Sequence, residues 1–217
     1  MKTVSDLYRA LSTAAALVLA GSASAQETNI ADSVHCEREA ECLRALKGRA
    51  SRKGEALRLR MADGQWRVLR SNKKACDRNE VDKCVVRELR AYLPEQGLFV
   101  VEWTTSGDGG SEVISAATGQ IATLDTMPEF SPSGRWFASV DPDELNDRQY
   151  DIGIWSVEDG EISQVFSYVR SGSEYEAWEF QDWDGDDRIK LRVTRPNAAP
   201  VDTEAVRTDA GWMLKRP

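Results

Sequence analysis

The densest group of carboxylates in the chain lies in the segment Asp182-Trp183-Asp184-Gly185-Asp186-Asp187. Carboxylates at alternate positions of a loop can surround one hard cation such as Ca²⁺. Asp and Gly are also the residues that β-turns require for backbone reasons. The pattern therefore indicates either a calcium site or a turn between strands at 177–181 and 188–194, and we favour the turn.

The same segment resembles the calcium loops of EF-hands and of integrin-type repeats, but it departs from both. Asp187 stands where the EF-hand loop has glycine, and Val193 stands at the twelfth position in place of glutamate. The integrin-type pattern needs an acid near Lys190. We therefore assign no metal ligand and no cofactor to this segment.

Other residue types that could perform chemistry are few. The single histidine, His35, adjoins Cys36, but a Cys-His pair needs a free thiolate. The Gly-rich segment 106–111 lacks the Lys-Ser/Thr ending of a phosphate-binding loop, and we expect a hairpin loop. No G-x-S-x-G motif occurs, and no spacing singles out one pair of carboxylates. We therefore predict no catalytic residue.

The four cysteines, Cys36, Cys42, Cys76 and Cys84, are expected to form two disulfides. Free or metal-bound thiols are the alternative, although the C-x5-C and C-x7-C gaps do not suit metal binding. Four cysteines allow three pairings, and the sequence does not choose among them. A helix over 36–42 would separate those two Cα atoms by about 9 Å and would force both to pair with Cys76 and Cys84.

Residues 1–25 have the three parts of a cleaved signal peptide. Lys2 and Arg9 precede the apolar run 11–20, and the small-x-small pattern 23–25 predicts cleavage before Gln26. The apolar run is too short to remain as a membrane anchor, and no later segment is long and apolar enough to cross a bilayer. We expect a soluble periplasmic or secreted protein with no membrane span after cleavage.

Charge is distributed unevenly along the 217 residues, whose net charge is −8. Residues 26–100 carry a net charge of +4, and residues 101–217 carry −13. The acidic balance argues against nucleic-acid binding, which needs a positive face. The acidic 101–217 surface is either a solvated β surface or a docking face for a cationic protein.

Hydrophobic spacing divides the chain into a signal peptide at 1–25, a helical segment at 26–54 and a β-repeat domain at 55–217. Residues 33–47 are predicted to be helical and to end at Gly48. Beyond Gly54 the apolar residues alternate, and turn residues punctuate them. Strands are predicted at 57–61, 66–68, 98–104, 113–114, 121–124, 136–140, 152–157, 162–168, 178–180 and 189–193.

A hairpin pattern recurs along the β-repeat domain. An apolar strand, a turn ending in glycine and a second apolar strand occur around Gly64, Gly119, Gly160 and Gly211. One hairpin cannot bury its apolar face alone, so we expect the copies to pack together. The pattern predicts an all-β fold of antiparallel hairpin repeats, either a sandwich or a small propeller-like domain, behind a short N-terminal helix.

The third copy carries a family resemblance, strongest over residues 128–161. Phe130-Ser131-Pro132-Ser133-Gly134-Arg135 resembles the FSPDG(K/R) signature of TolB-like and WD40-like propeller repeats, and Ile154 to Glu161 resembles their following strand and turn. The resemblance implies that Phe130 ends an inner strand and that 131–134 form a tight turn. Ser133 departs from the usual Asp, and the chain is too short for a regular six- or seven-bladed ring. The implied domain is therefore a small or incomplete propeller.

The resemblance and the residues together predict an exported, non-catalytic protein-interaction module, because propeller-like domains of this kind mostly bind proteins. The alternative is an acidic inhibitor of a cationic exported enzyme such as lysozyme, motivated by the predicted export, the disulfides and the acidic half. A carboxylate-based hydrolase is the weakest alternative.

Overall fold

The computed structural model describes residues 33–141, 150–170 and 175–216. The strands are β1 (Val34–His35), β2 (Ala50–Lys53), β3 (Ala56–Arg60), β4 (Trp66–Arg70), β5 (Val86–Leu93), β6 (Leu98–Thr104), β7 (Gly109–Ser115), β8 (Ile121–Leu124), β9 (Glu129–Phe130), β10 (Trp136–Val140), β11 (Ile152–Glu158), β12 (Glu161–Tyr168), β13 (Ala177–Trp183), β14 (Arg188–Thr194), β15 (Val201–Thr208) and β16 (Gly211–Lys215). The helices are α1 (Glu39–Ala45), α2 (Lys73–Asp77) and a 3-10 turn (Val81–Lys83).

These strands form four antiparallel sheets in sequence order. The first sheet is β2-β3-β4, the second is β1-β5-β6-β7-β8, the third is β12-β11-β10-β9 and the fourth is β13-β14-β15-β16. Apart from β1, which joins the second sheet beside β5, each sheet is built from consecutive strands joined by short connections. The prediction of an all-β fold of antiparallel hairpins is confirmed.

The predicted hairpin repeat corresponds to one hairpin in each sheet. Gly64, Gly119, Gly160 and Gly211 lie in the hairpins that join the last two strands of the first, second, third and fourth sheets. Their φ angles are 82°, 76°, 81° and 111°, in the left-handed region that favours glycine. The glycines recur because each sheet closes with the same kind of tight turn.

The four sheets pack face to face through three apolar clusters. Leu57 and Leu59 of the first sheet pack with Phe99 and Val101 of the second. Leu98 and Val100, on the opposite face of β6, pack with the third sheet. The further members between the second and third sheets include Leu93, Val113, Leu124, Phe137, Trp155 and Val157. Those between the third and fourth include Ala138, Val140, Ile152, Ile154, Trp178, Ile189, Leu191 and Val193.

Both faces of the two middle sheets are therefore buried, which explains why β6 and β11 are almost continuously apolar. Each fully buried aliphatic side chain contributes about 1.5–3 kcal/mol. The two end sheets bury one face only. Their other faces, on β3 and β14, carry charged residues at alternate positions.

The N-terminal helix is shorter than predicted, and this difference determines the disulfide pairing. Residues 34–35 form β1, and α1 begins only at Glu39, so Cys36 lies outside the helix. Cys36 pairs with Cys42 across 5.6 Å between Cα atoms, and Cys76 pairs with Cys84 across 4.5 Å. The prediction of a helix from residue 33 is wrong, so the condition under which both cysteines would have to pair with Cys76 and Cys84 is not met. Both bridges are local.

Two further differences concern the boundaries of elements. The first sheet begins at Ala50, ahead of the expected start of the β region at residue 55, and α1 packs Cys42 and Leu46 into the same apolar cluster. The Gly-rich segment 106–111 ends early, because β7 begins at Gly109. The predicted signal peptide at 1–25 lies outside the described residues. Among the described residues, no helix is long and apolar enough to cross a membrane.

Candidate functional site

The segment 182–187 forms the end of β13 and the turn between β13 and β14. Asp186 accepts hydrogen bonds from the Ser133 backbone N–H at 3.2 Å and from Arg135 Nη2 at 3.1 Å. Partial burial acts to raise the pKa of Asp186, but the hydrogen bonds from Ser133 and Arg135 outweigh it, so this pKa is lowered. Asp184 Oδ2 lies 3.8 Å from Arg188 Nε. In the described residues, no three potential ligands are grouped to hold a metal ion.

Asp186 thus joins the fourth sheet to the turn of the Phe130–Gly134 motif in the third. β9 ends at Phe130, and the Gly134 N–H donates to the Ser131 carbonyl at 2.8 Å to close the tight turn. Ser133 donates its backbone N–H to Asp186. A carboxylate of the fourth sheet therefore binds the turn of the third sheet.

His35 and Cys36 do not form a catalytic pair. His35 is exposed on β1, and the sulfur of Cys36 is bonded to Cys42. A disulfide sulfur cannot act as the thiolate nucleophile.

A cleft of about 680 Å³ opens where turns of the first three sheets meet. Its walls come from Arg49 and 60–62 beside the first sheet, from Tyr92, 94–97 and 116–117 of the second, and from Arg135 and 157–160 of the third. This size is within the range of ligand sites in proteins, which run from about 300 to 1,000 Å³. The residues that line the cleft come from turns far apart in sequence.

The two charged walls of the cleft differ in how they are held. On the cationic wall, Arg49 Nη1 donates to the Tyr92 hydroxyl at 2.8 Å, and its guanidinium lies 5.3 Å from the centre of that ring. Elsewhere in the lining, at residues that we call the acidic wall, Glu95, Glu158 and Asp159 are exposed and form no ion pair with a described residue. The acidic wall therefore presents carboxylates that the protein itself does not neutralise.

The hairpin between β11 and β12 supplies most of this acidic wall. Glu158, Asp159 and Glu161 surround the tight turn, and we call these three residues the acidic tip. Asp159 and Gly160 have φ angles of 51° and 81°, as a two-residue Asp-Gly hairpin turn requires. The turn forces three carboxylates to project together from the end of the hairpin.

Neighbouring residues of the second sheet hold the acidic tip in place. Thr118 Oγ1 donates to the Gly160 carbonyl at 3.2 Å, and the Ile162 N–H donates to Gln120 Oε1 at 2.7 Å. A Cβ at Gly160 would lie 2.6 Å from the Cβ of Ala117, so only glycine permits this approach. A tip that is already ordered loses less entropy when it binds a partner.

Elsewhere the acidic 101–217 region does not form one continuous acidic face. Arginines and lysines pair with many of its carboxylates: besides Asp184 with Arg188 and Asp186 with Arg135, the pairs include Glu102 with Arg90, Glu112 with Arg87, Asp151 with Arg170, Glu176 with Arg195 and Arg216, Asp202 with Arg192, and Glu204 with Arg188 and Lys215. The net charge of this region therefore overstates its unneutralised surface. The acidic tip is where unneutralised carboxylates cluster beside a concave surface.

Comparison of the chain with protein-family models, with curated proteins and with solved structures found no match. Function must therefore be argued from the arrangement of residues alone.

Proposed function

We propose that this protein is an exported, non-catalytic protein-interaction module whose acidic tip and adjoining cleft receive a cationic segment of a partner protein. The observation that carries the proposal is the acidic tip. Its three carboxylates are exposed and form no ion pair with a described residue. The backbone of the hairpin that carries them is hydrogen-bonded to Thr118 and Gln120, next to the second sheet. Exposed carboxylates on an ordered turn can steer and hold a cationic segment of a partner.

The stack of sheets supports the same proposal. The sheets follow one another in sequence order, and residues 131–134 form a tight turn after β9. We propose that the stack is an incomplete propeller, an architecture that displays its turns side by side at one end. Such a row of turns suits a protein partner better than a small substrate.

The proposal is tested with a triple variant of the acidic tip, Glu158→Gln, Asp159→Asn and Glu161→Gln. Asn tolerates the left-handed conformation that Asp159 adopts, so the turn is preserved. Purified protein at micromolar concentration is incubated with an extract of exported proteins from the same cells, chemically cross-linked and analysed by mass spectrometry. We expect a basic protein that cross-links to the wild type and is lost from the triple variant.

A matched control removes three other exposed carboxylates, with Glu179→Gln, Asp182→Asn and Asp209→Asn. None of these forms an ion pair with a described residue, so the change in charge is the same. The control should retain the partner. If the control loses the partner equally, bulk charge explains the capture, and the acidic tip is not the site. An extract that gives no specific partner would overturn the proposal.

A second candidate function, inhibition of a cationic exported enzyme such as lysozyme, is favoured by the shape of the same hairpin. The acidic tip lies on a two-residue turn, which is narrow enough to enter the substrate cleft of an enzyme. We expect excess protein to slow lysis of bacterial cells by lysozyme and the triple variant to have no effect. Undiminished lysis with excess wild-type protein would remove this candidate and leave the interaction module untouched.

A further inference from the structure

The outer face of the first sheet combines cations and an aromatic ring. Leu57 and Leu59 of β3 are fully buried against the second sheet, so the alternate residues Arg58 and Arg60 point the opposite way. Register then places the neighbouring side chains of β2 and β4 on the same face. The resulting basic face consists of Ser51, Lys53, Ala56, Arg58, Arg60, Trp66, Val68 and Arg70.

No acidic residue belongs to the basic face. Lys53, Arg58, Arg60 and Arg70 form no ion pair with any residue that the structure describes. Four like charges on one small sheet repel each other, and a sheet usually offsets such a cost with acids on the neighbouring strands. An anionic partner would remove the repulsion.

The arginines are oriented by Trp66. The guanidinium of Arg58 lies 4.8 Å from the centre of the Trp66 ring, and that of Arg60 lies 5.4 Å from it. Stacking on an aromatic face leaves the N–H groups at the edge of a guanidinium available to an acceptor. Planar guanidinium edges bind carboxylates through two parallel hydrogen bonds, which a lysine cannot do.

We propose that the basic face binds an extended acidic segment of a partner protein, in which carboxylates occupy alternate positions. Arg58 and Arg60 are two residues apart on a strand, which separates them by about 6.5–7 Å. An extended peptide repeats its side chains on one side at the same interval. Each arginine can therefore meet one carboxylate, while Trp66 and Val68 contact the intervening apolar atoms.

This site goes beyond the proposed function, because it takes a partner of the opposite charge on the outer face of the first sheet, which shares Arg60 with the lining of the cleft. A flat sheet face with oriented guanidiniums favours a peptide of regular spacing over a membrane, for which unoriented lysines suffice. Binding to anionic vesicles is therefore an outcome that the test must separate from peptide binding.

The test measures the binding of fluorescent peptides by anisotropy. One peptide alternates Glu with Thr, and its isomer has the same composition with all Glu residues in one block. We expect the alternating peptide to bind more tightly than the block isomer. The variant Arg58→Gln/Arg60→Gln should weaken its binding by about tenfold or more, because two charge-assisted contacts are lost. The variant Arg58→Lys/Arg60→Lys should lose part of the affinity although its charge is unchanged.

The matched control is Arg188→Gln/Lys190→Gln, which removes the same charge from alternate positions of β14 on the outer face of the fourth sheet. It should bind the alternating peptide as the wild type does. Equal binding of the two peptides, an unchanged affinity in the Lys variant, or tighter binding to phosphatidylglycerol vesicles than to the alternating peptide would overturn the proposal. Near-ultraviolet circular dichroism of each variant verifies that the sheets remain folded.

Discussion

The outer faces of the first and fourth sheets carry the same number of cationic residues but differ in their acidic residues. The basic face has Lys53, Arg58, Arg60 and Arg70, and the face at the other end has Arg188, Lys190, Arg192 and Lys215. The face of the fourth sheet also carries Glu179, Asp182, Asp202 and Glu204, whereas the basic face has no acid. The fourth sheet therefore carries acids beside its cations on the same face, whereas the cations of the basic face have no acid beside them.

Cross-strand register produces this difference. In the fourth sheet, Lys190 lies opposite Glu204 and Arg192 lies opposite Asp202, with 2.8 Å between the Arg192 and Asp202 side chains. In the first sheet, Arg60 lies opposite Trp66 and Arg58 lies opposite Val68. Alternation along a strand decides which residues face outward, but the residue on the neighbouring strand decides whether a charge is neutralised.

The largest effects are expected on the inner faces, where the two end sheets should behave alike. Leu57 and Trp178 are both fully buried, each in the cluster that joins an end sheet to its neighbour. Leu57→Ala should lower the free energy of unfolding by about 2–5 kcal/mol and Trp178→Ala by about 3–5 kcal/mol. Urea denaturation followed by circular dichroism measures both.

The pair of core variants also tests the continuity of the stack. If either variant unfolds in urea through two separate transitions, its end sheet unfolds independently of the other three sheets. If only one variant is destabilised, the two ends are not equally coupled, and the comparison above has to be confined to the outer faces.

A smaller effect is expected at Glu176, the buried carboxylate before β13. It is 3% exposed and accepts hydrogen bonds from Tyr168 at 2.9 Å and from Arg195 at 2.9 Å. Burial acts to raise the pKa of Glu176, but the hydrogen bonds from Tyr168 and Arg195 outweigh it and lower this pKa. Glu176→Gln should cost about 1–3 kcal/mol, because the partly buried Arg195 loses its counter-charge.

The control for Glu176 is Arg192→Gln, which breaks an ion pair on the exposed face of the same sheet. Exposed ion pairs contribute little to stability. A urea midpoint that falls as far in the control as in Glu176→Gln would show that burial does not distinguish the two pairs.

The smallest expected effect is a difference in acid sensitivity between the two outer faces. The hydrogen bond from Arg192 lowers the pKa of Asp202, and that from Lys215 lowers the pKa of Glu204. A carboxyl with a lowered folded pKa stabilises the protein above its unfolded pKa, and this stabilisation is lost as the pH falls through the folded value. Asp202→Asn/Glu204→Gln should therefore reduce the loss of stability between about pH 6 and pH 3.

The variant Arg58→Gln/Arg60→Gln provides the contrast, because the basic face has no carboxylate to protonate. Over the same pH range, this variant should lose as much stability as the wild type does. Urea midpoints measured at each pH test this. An altered acid sensitivity in this variant would mean that an acid outside the face interacts with these arginines.

The positions of the strands could be predicted from the sequence because alternation is a local pattern. The segment around Gly160 is an example, since both of its strands and its turn lie within one hairpin. The helix predicted over 33–47 is longer than the observed helix, because residues 34–35 pair with β5, more than 50 positions away along the chain. Nothing local in the sequence distinguishes that strand from a first helical turn.

The cleft and the basic face could not be predicted from the sequence, for a related reason. Arg49, Glu95 and Glu158 line one cleft because turns of three sheets converge there, and the spacing of these residues in the sequence does not indicate it. The basic face depends on which residue of β4 lies opposite each arginine of β3. The acidic tip was within reach of the sequence, because an Asp-Gly hairpin flanked by glutamates already implies carboxylates that project together.

Local connectivity also affects how the molecule is made. Apart from β1, the strands of each sheet come from one contiguous stretch of chain. Each disulfide joins cysteines that are only 6 or 8 residues apart in sequence. A chain that emerges N-terminus first can therefore finish one sheet before the next arrives, with little entropy spent on closing long loops. Because both disulfides are local, the order of the sheets does not depend on oxidation of the thiols. The disulfides can therefore form before or after the sheets assemble.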